Sequence, residues 1–135
     1  MRFRVLLIWV IGIGVFLFGV PVLAHHSFMV EYDMSKPITV KGTVTKIEYE
    51  NPHISFFLDV KDASGRVTNW GFEGASPTAL KAHGWTRDSV KPGDYVTVEA
   101  FRARNGTPFA AARSLTLASG RQLSAASDGV PPAGK

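Results

Sequence analysis

The chain has 135 residues, 45% of them hydrophobic and 19% charged, with a formal net charge of +4 and no cysteine. That length allows one domain and excludes a multidomain enzyme or a large α/β barrel, while the composition excludes a disordered or fibrous chain. Without cysteine there can be no disulfide, thiolate metal site, thiol nucleophile or lipid attachment through an N-terminal cysteine.

Arg2 and Arg4 open the chain, residues 5–20 are wholly apolar or glycine, and Pro21, Val22, Leu23 and Ala24 follow. A basic start, an apolar run and small residues at the −3 and −1 positions predict a secretory signal peptide, residues 1–24, cut after Ala24. The alternative is an uncleaved anchor, which would be the chain's only membrane contact, but the run is short for a span of about 20 residues. Cleavage removes Arg2 and Arg4 and no acid, so half of the net +4 goes with the leader. What remains is close to neutral and carries no Lys/Arg run, so nucleic acid is not an expected partner. The expected location is the periplasm or the exterior.

Residues 25–37 read as an irregular lead-in, 38–118 as the folded domain and 119–135 as a flexible tail rich in Gly, Ser, Ala and Pro. The first strand is expected over 38–50. Ile38, Val40 and Val44 share one face, but Ile47 and Tyr49 fall out of phase with them. A strand changes its buried face only at a bulge or bend, so this strand is predicted to be long and coiled. Asn51 and Pro52 mark a turn. Residues 54–60 form strand two, with Ile54, Phe56, Leu58 and Val60 inward. Asp62 to Gly65 makes a hairpin turn, and 67–73 form strand three, with Trp70 and Phe72 on one face. Ser76 and Pro77 start a short helix that Gly84 stops, over 77–83. Residues 91–94 turn into strand four, 95–101, with Val96, Val98 and Ala100 inward. Asn105 and Gly106 turn into strand five, 109–117. The order β-β-β-α-β-β predicts an all-β domain with one short helix, a small OB-fold-like barrel. The rival architecture is a small β-sandwich with a helical cap.

Four histidines stand out: His25, His26, His53 and His83. Cleavage after Ala24 would make His25 the first residue, so its α-amine and ring could chelate one ion. Amine and imidazole both deprotonate near neutrality, and His26 adds another ring. An all-nitrogen tetragonal set suits Cu(II). His53, placed by Pro52 on a barrel rim, is the candidate third ligand, and Glu73 could orient its ring as a supporting carboxylate. The plain alternative is that His25 and His26 are exposed polar residues and His53 a turn residue. His83 suits a helix C-terminus. Glu48 and Glu50 share a strand with Lys41 and Lys46, which reads as a solvated charged face. Ser27 sits in no nucleophile elbow, and no catalytic residues are assigned.

The aromatics offer a second kind of site. Phe28, Trp70 and Trp85 are candidates for an aromatic binding face, although such rings also fill cores.

Taken together, several blocks resemble a family of small exported bacterial proteins of unknown function. They are His25, His26, Ser27 and Phe28; Asn51, Pro52 and His53; Trp70 with Glu73; Gly84, Trp85, Thr86, Arg87 and Asp88; and Lys91, Pro92, Gly93 and Asp94. The likeness runs from about His25 to Leu123. It implies a compact barrel-like domain in the bacterial envelope and brings no activity with it.

The leading expectation is therefore a non-enzymatic binding or accessory module of the envelope, with Cu(II) as its testable ligand. The alternatives are an aromatic-face binder of a peptide, glycan or other envelope component and, more remotely, a copper-dependent oxidative enzyme.

Overall fold

The computed structural model describes residues 31–132. Its elements run β1 (Tyr32–Glu48), β2 (Ser55–Lys61), β3 (Val67–Glu73), α1 (Pro77–Ala82), β4 (Tyr95–Ala103), β5 (Phe109–Leu117) and β6 (Gln122–Ser124). The strand order is β3-β2-β1-β4-β5-β6, and a further parallel pairing of β3 with β5 closes the ring. Strands β1 to β5 thus make a closed barrel with the OB-fold connectivity, and β6 lies along the remaining length of β5. The expected fold class is the observed one, and the sandwich is excluded by the closure.

The out-of-phase apolar residues of β1 have the cause that their spacing demands. The register with β2 slips between Val44 and Lys46. Val40 and Val44 are buried before the slip, and Ile47 and Tyr49 pack on the same core after it. The extra residue, Thr45, turns the strand's inward face from even to odd positions. Close approach also demands Gly42, where a Cβ would stand 2.4 Å from the Asp59 carbonyl oxygen.

The helix follows its capping residues. Ser76 Oγ accepts from the Ala79 N–H at 3.2 Å, Pro77 occupies the first helical position, and Gly84, at φ +85°, takes the left-handed turn past the end. Leu80 from the helix and Trp85 from the loop after it are buried in the barrel core beside Phe56, Phe72 and Leu58. Side chains of this size contribute about 1.5–3 kcal/mol each when fully buried. Inside the barrel the Phe56 and Phe72 rings stack at 5.1 Å, and Trp70 stacks on Phe72 at 6.2 Å.

Two boundaries differ from expectation. The strand expected from residue 38 begins at Tyr32, so part of the supposed lead-in is sheet. Tyr32 pairs with Ala103, and the register is irregular between Tyr32 and Pro37, which is where a residue without an N–H is tolerated. The supposed flexible tail also packs in its near part. Leu123, Ala125, Ser127 and Val130 are buried. Ala125 N–H donates to Arg113 O, its carbonyl accepts from Ala75 N–H, and Ser127 Oγ donates to Gly74 O. A composition rich in small residues suggests disorder, yet this stretch pairs with β5 and buries its small side chains. Val130 seals a second, outer cluster with Tyr32, Phe101, Ala103 and Ala111.

Candidate functional site

The barrel closes where β3 meets β5, and a polar cluster forms on that seam. Glu73 ends β3, opposite Ser55 of β2 on one side and Ala111 of β5 on the other. The β2–β3 ladder continues past the strands, with Gly74 N–H donating to Ile54 O and Ile54 N–H to Ala75 O. This holds His53, one residue earlier, beside Glu73. The peptide bond between Asn51 and Pro52 is cis.

The two carboxylate oxygens of Glu73 have different partners. His53 Nδ1 lies 2.7 Å from Oε1, and the Tyr32 hydroxyl donates to Oε2 at 2.7 Å. With Nδ1 turned to Glu73, a metal bond from this ring would have to go through Nε2. Glu73 and His53, paired in the sequence reading, thus lie in contact. The second partner of Glu73, Tyr32, has no mark in the sequence. It lies 41 residues away, on a stretch with no apolar alternation to single it out.

Tyr32 is itself firmly held. It is 2% exposed, it stacks on Phe109 at 6.4 Å, and it packs against Val130. Phe109 can lie across β3 because residue 71 is glycine; a Cβ there would stand 2.4 Å from the Phe109 ring. Burial, and then the hydrogen bond and charge of Glu73, push the Tyr32 phenol far above its ordinary value. The phenol therefore stays protonated and remains a donor to Glu73 throughout the physiological range. Beside this cluster lies a cleft of about 410 Å³, lined among others by Glu31, Tyr32, Glu73, Arg104, Asn105 and Phe109. Its Asn105 turn is fixed by Thr107, whose N–H and hydroxyl both donate to Asn105 Oδ1, at 3.1 and 2.7 Å.

The other expected site residues fare differently. His25, His26 and Phe28 lie outside the described residues. Trp85 does not belong to a binding face. It is 2% exposed, and its indole N–H donates to Ser124 O at 2.7 Å, so it is a core anchor with its polar atom satisfied inside. Trp70 is not on the outer sheet face either; it ends the internal ring stack, and the Arg102 guanidinium covers it at 5.6 Å from the ring centre. Glu48 is paired with Lys46 at 2.5 Å on an exposed surface, as a solvated charged face requires. Among the described residues, no three His, Asp or Glu side chains come together as a group able to hold a metal.

The class defined by this geometry is a small closed OB-type barrel with a Tyr–Glu–His cluster on its closure seam. The sequence pattern of a family of unknown function, DUF6152, matches residues 14–111, and the chain belongs to that family. No curated protein matches it. Among solved structures it is similar to the mitochondrial single-stranded DNA-binding protein Rim1 of S. cerevisiae, at 11% identity and a TM-score of 0.49, over 65% of this chain and 95% of that one.

Proposed function

We propose that the protein is an exported, non-enzymatic binding module of the bacterial envelope. Its ligand is Cu(II), held by the amine and ring of His25, by His26 and by Nε2 of His53. In this reading the leader is removed after Ala24, and His25 becomes the first residue. The supporting observation is the pair of 2.7 Å contacts that Glu73 makes with His53 Nδ1 and with the Tyr32 hydroxyl. A carboxylate at this distance supports the reading because metal-bound histidines commonly turn their other ring nitrogen to such a partner.

Two further features support it. Glu31 stands at this same seam, where its carbonyl accepts from the Arg104 N–H. Five residues stand between His25 and Glu31 in the sequence, and six extended steps of chain span at most about 20 Å. Glu31 and Glu73 also give the neighbouring cleft two carboxylates against one guanidinium, that of Arg104, a balance that favours a cation.

Titration of the exported protein with Cu(II), followed by visible absorption and electron paramagnetic resonance, tests the reading. We expect one tight site with a nitrogen-rich tetragonal signature. One added residue before His25 should weaken it sharply. Glu73→Gln should weaken it by roughly tenfold by freeing the ring. If His53→Ala binds Cu(II) with unaltered affinity and spectrum, the barrel supplies no ligand and the reading falls.

A further inference from the structure

A second cleft, of about 450 Å³, lies at the other ends of β4 and β5. Tyr95, which starts β4, and Leu117, which ends β5, line it, whereas the seam cluster adjoins Ala103 and Phe109. Along a strand of nine residues that separation is roughly 27 Å. The two clefts are distinct, and the role of this one is independent of copper at the seam.

The wall of this cleft is an unusually well-fixed loop. Trp85 anchors one end in the core, and Val90, 1% exposed, anchors the other. Between them Thr86 N–H donates to Ser89 Oγ at 2.8 Å and Asp88 N–H to Thr86 Oγ1 at 3.3 Å. Across the cleft Lys91 N–H donates to Asp94 Oδ2, and Arg121 donates to Gly84 O. The backbone is thus satisfied by its own turns. Three groups on the rim are not. Among the described residues, no hydrogen bond or ion pair engages the Asp88 carboxylate, the Lys91 ammonium or the Tyr95 hydroxyl. Tyr95 is 55% exposed, one of the two large apolar side chains so placed among the described residues.

The chemistry of the rim narrows the ligand. Asp88 and Asp94 offset Lys91 and Arg121, so the cleft selects neither a polyanion nor a cation. Carboxylate acceptors and cationic donors side by side suit a group that is donor and acceptor at once, which is the character of a hydroxyl. An exposed phenol ring beside them offers a flat apolar face. Vicinal hydroxyls on a ring with an apolar C–H face describe a pyranose. We infer that this cleft is a saccharide-binding site, with Tyr95 as the stacking platform and Asp88 and Lys91 as the hydroxyl-binding pair. The loop's fixed turns would keep the ordering entropy of binding small, which compensates for the weakness of single hydroxyl contacts.

Amide chemical-shift titration of the exported protein with two neutral probes, chitotriose and maltotriose, tests this. We expect at least one of them to shift the amides of Thr86, Asp88, Tyr95 and Arg121 in a saturable way, with a millimolar dissociation constant. Tyr95→Ala should weaken binding by roughly tenfold or more, and Tyr95→Phe should retain most of it. Asp88→Asn should weaken it as well. His53→Ala should leave it unchanged, which keeps this outcome separable from that of the copper titration. Absence of shifts at this cleft with both probes up to about 20 mM, or binding by Tyr95→Ala equal to that of the native chain, overturns the assignment.

Discussion

The seam at Glu73 and the loop at Trp85 solve the same problem by opposite means. At the seam, side chains far apart in sequence hold one another: Tyr32 reaches Glu73 across 41 positions, and His53 joins from a third segment. At the loop, most of the bonds are local, within residues 84–94, and the buried Trp85 and Val90 anchor its two ends in the core. The difference matters for what each place can do. A side-chain cluster at the meeting point of three segments orients a ring while leaving the His53 side chain 35% exposed. A self-satisfied loop presents a fixed outline and leaves its rim groups free of structural bonds.

The contrast makes quantitative demands. Trp85→Ala should be the most disruptive single change, because it empties a core position and orphans the Ser124 carbonyl. We expect a loss of about 3–5 kcal/mol in denaturant unfolding. Glu73→Ala should cost less, about 2–3 kcal/mol, chiefly by leaving the buried Tyr32 hydroxyl without its acceptor. Tyr32→Phe should cost about 1–2 kcal/mol in the native background and far less in the Glu73→Ala background, since both changes remove the same bond. Equal Tyr32→Phe costs in the two backgrounds would show that the seam is not a coupled cluster. A Glu73→Ala loss matching that of Trp85→Ala would erase the contrast itself.

How far each region can be read from sequence depends on the same difference. Local physics leaves local marks. The slip in β1 shows as a change of parity between Val44 and Ile47, and the helix shows as Ser76, Pro77 and Gly84. Glu73 could be matched to His53 because both stand at the adjoining ends of neighbouring strands. Closure of the barrel leaves no such mark. It rests on three parallel pairs between β3 and β5, too few for any periodicity. Tyr32 reaches the seam only because the ring closes, so its role could not be seen before the fold. Trp85 misled in the other direction. A tryptophan between glycine and a polar run looks like a surface ring, and only its Ser124 partner, 39 residues on, shows why it is buried. The C-terminal stretch misled because composition reports how much apolar area a segment can bury, not whether a flat groove is waiting for small residues.

The smallest expected effect tests the local kind of construction by itself. In the β2–β3 hairpin the Asp62 carboxylate accepts from Ser64 Oγ at 2.6 Å, from Ser64 N–H at 2.9 Å and from Arg66 N–H at 3.0 Å. These bonds, that from the Ser64 hydroxyl first, hold the carboxyl below its ordinary value. A lowered value in the folded state means that the folded chain releases the proton more readily than the unfolded one. The stabilisation is therefore fully present above the unfolded carboxylate value and fades as pH falls through the folded one. Asp62→Asn keeps the shape and removes the charge. Thermal unfolding of the two proteins from pH 7 down to pH 2 should show a small deficit for the variant near neutrality, and that deficit should close in the acid range. Because Asp33 is lowered by the analogous Ser35 contacts and is present in both proteins, its own titration cancels from the difference. A deficit that persists unchanged at the lowest pH would mean that the turn depends on the shape of the side chain and not on its charge.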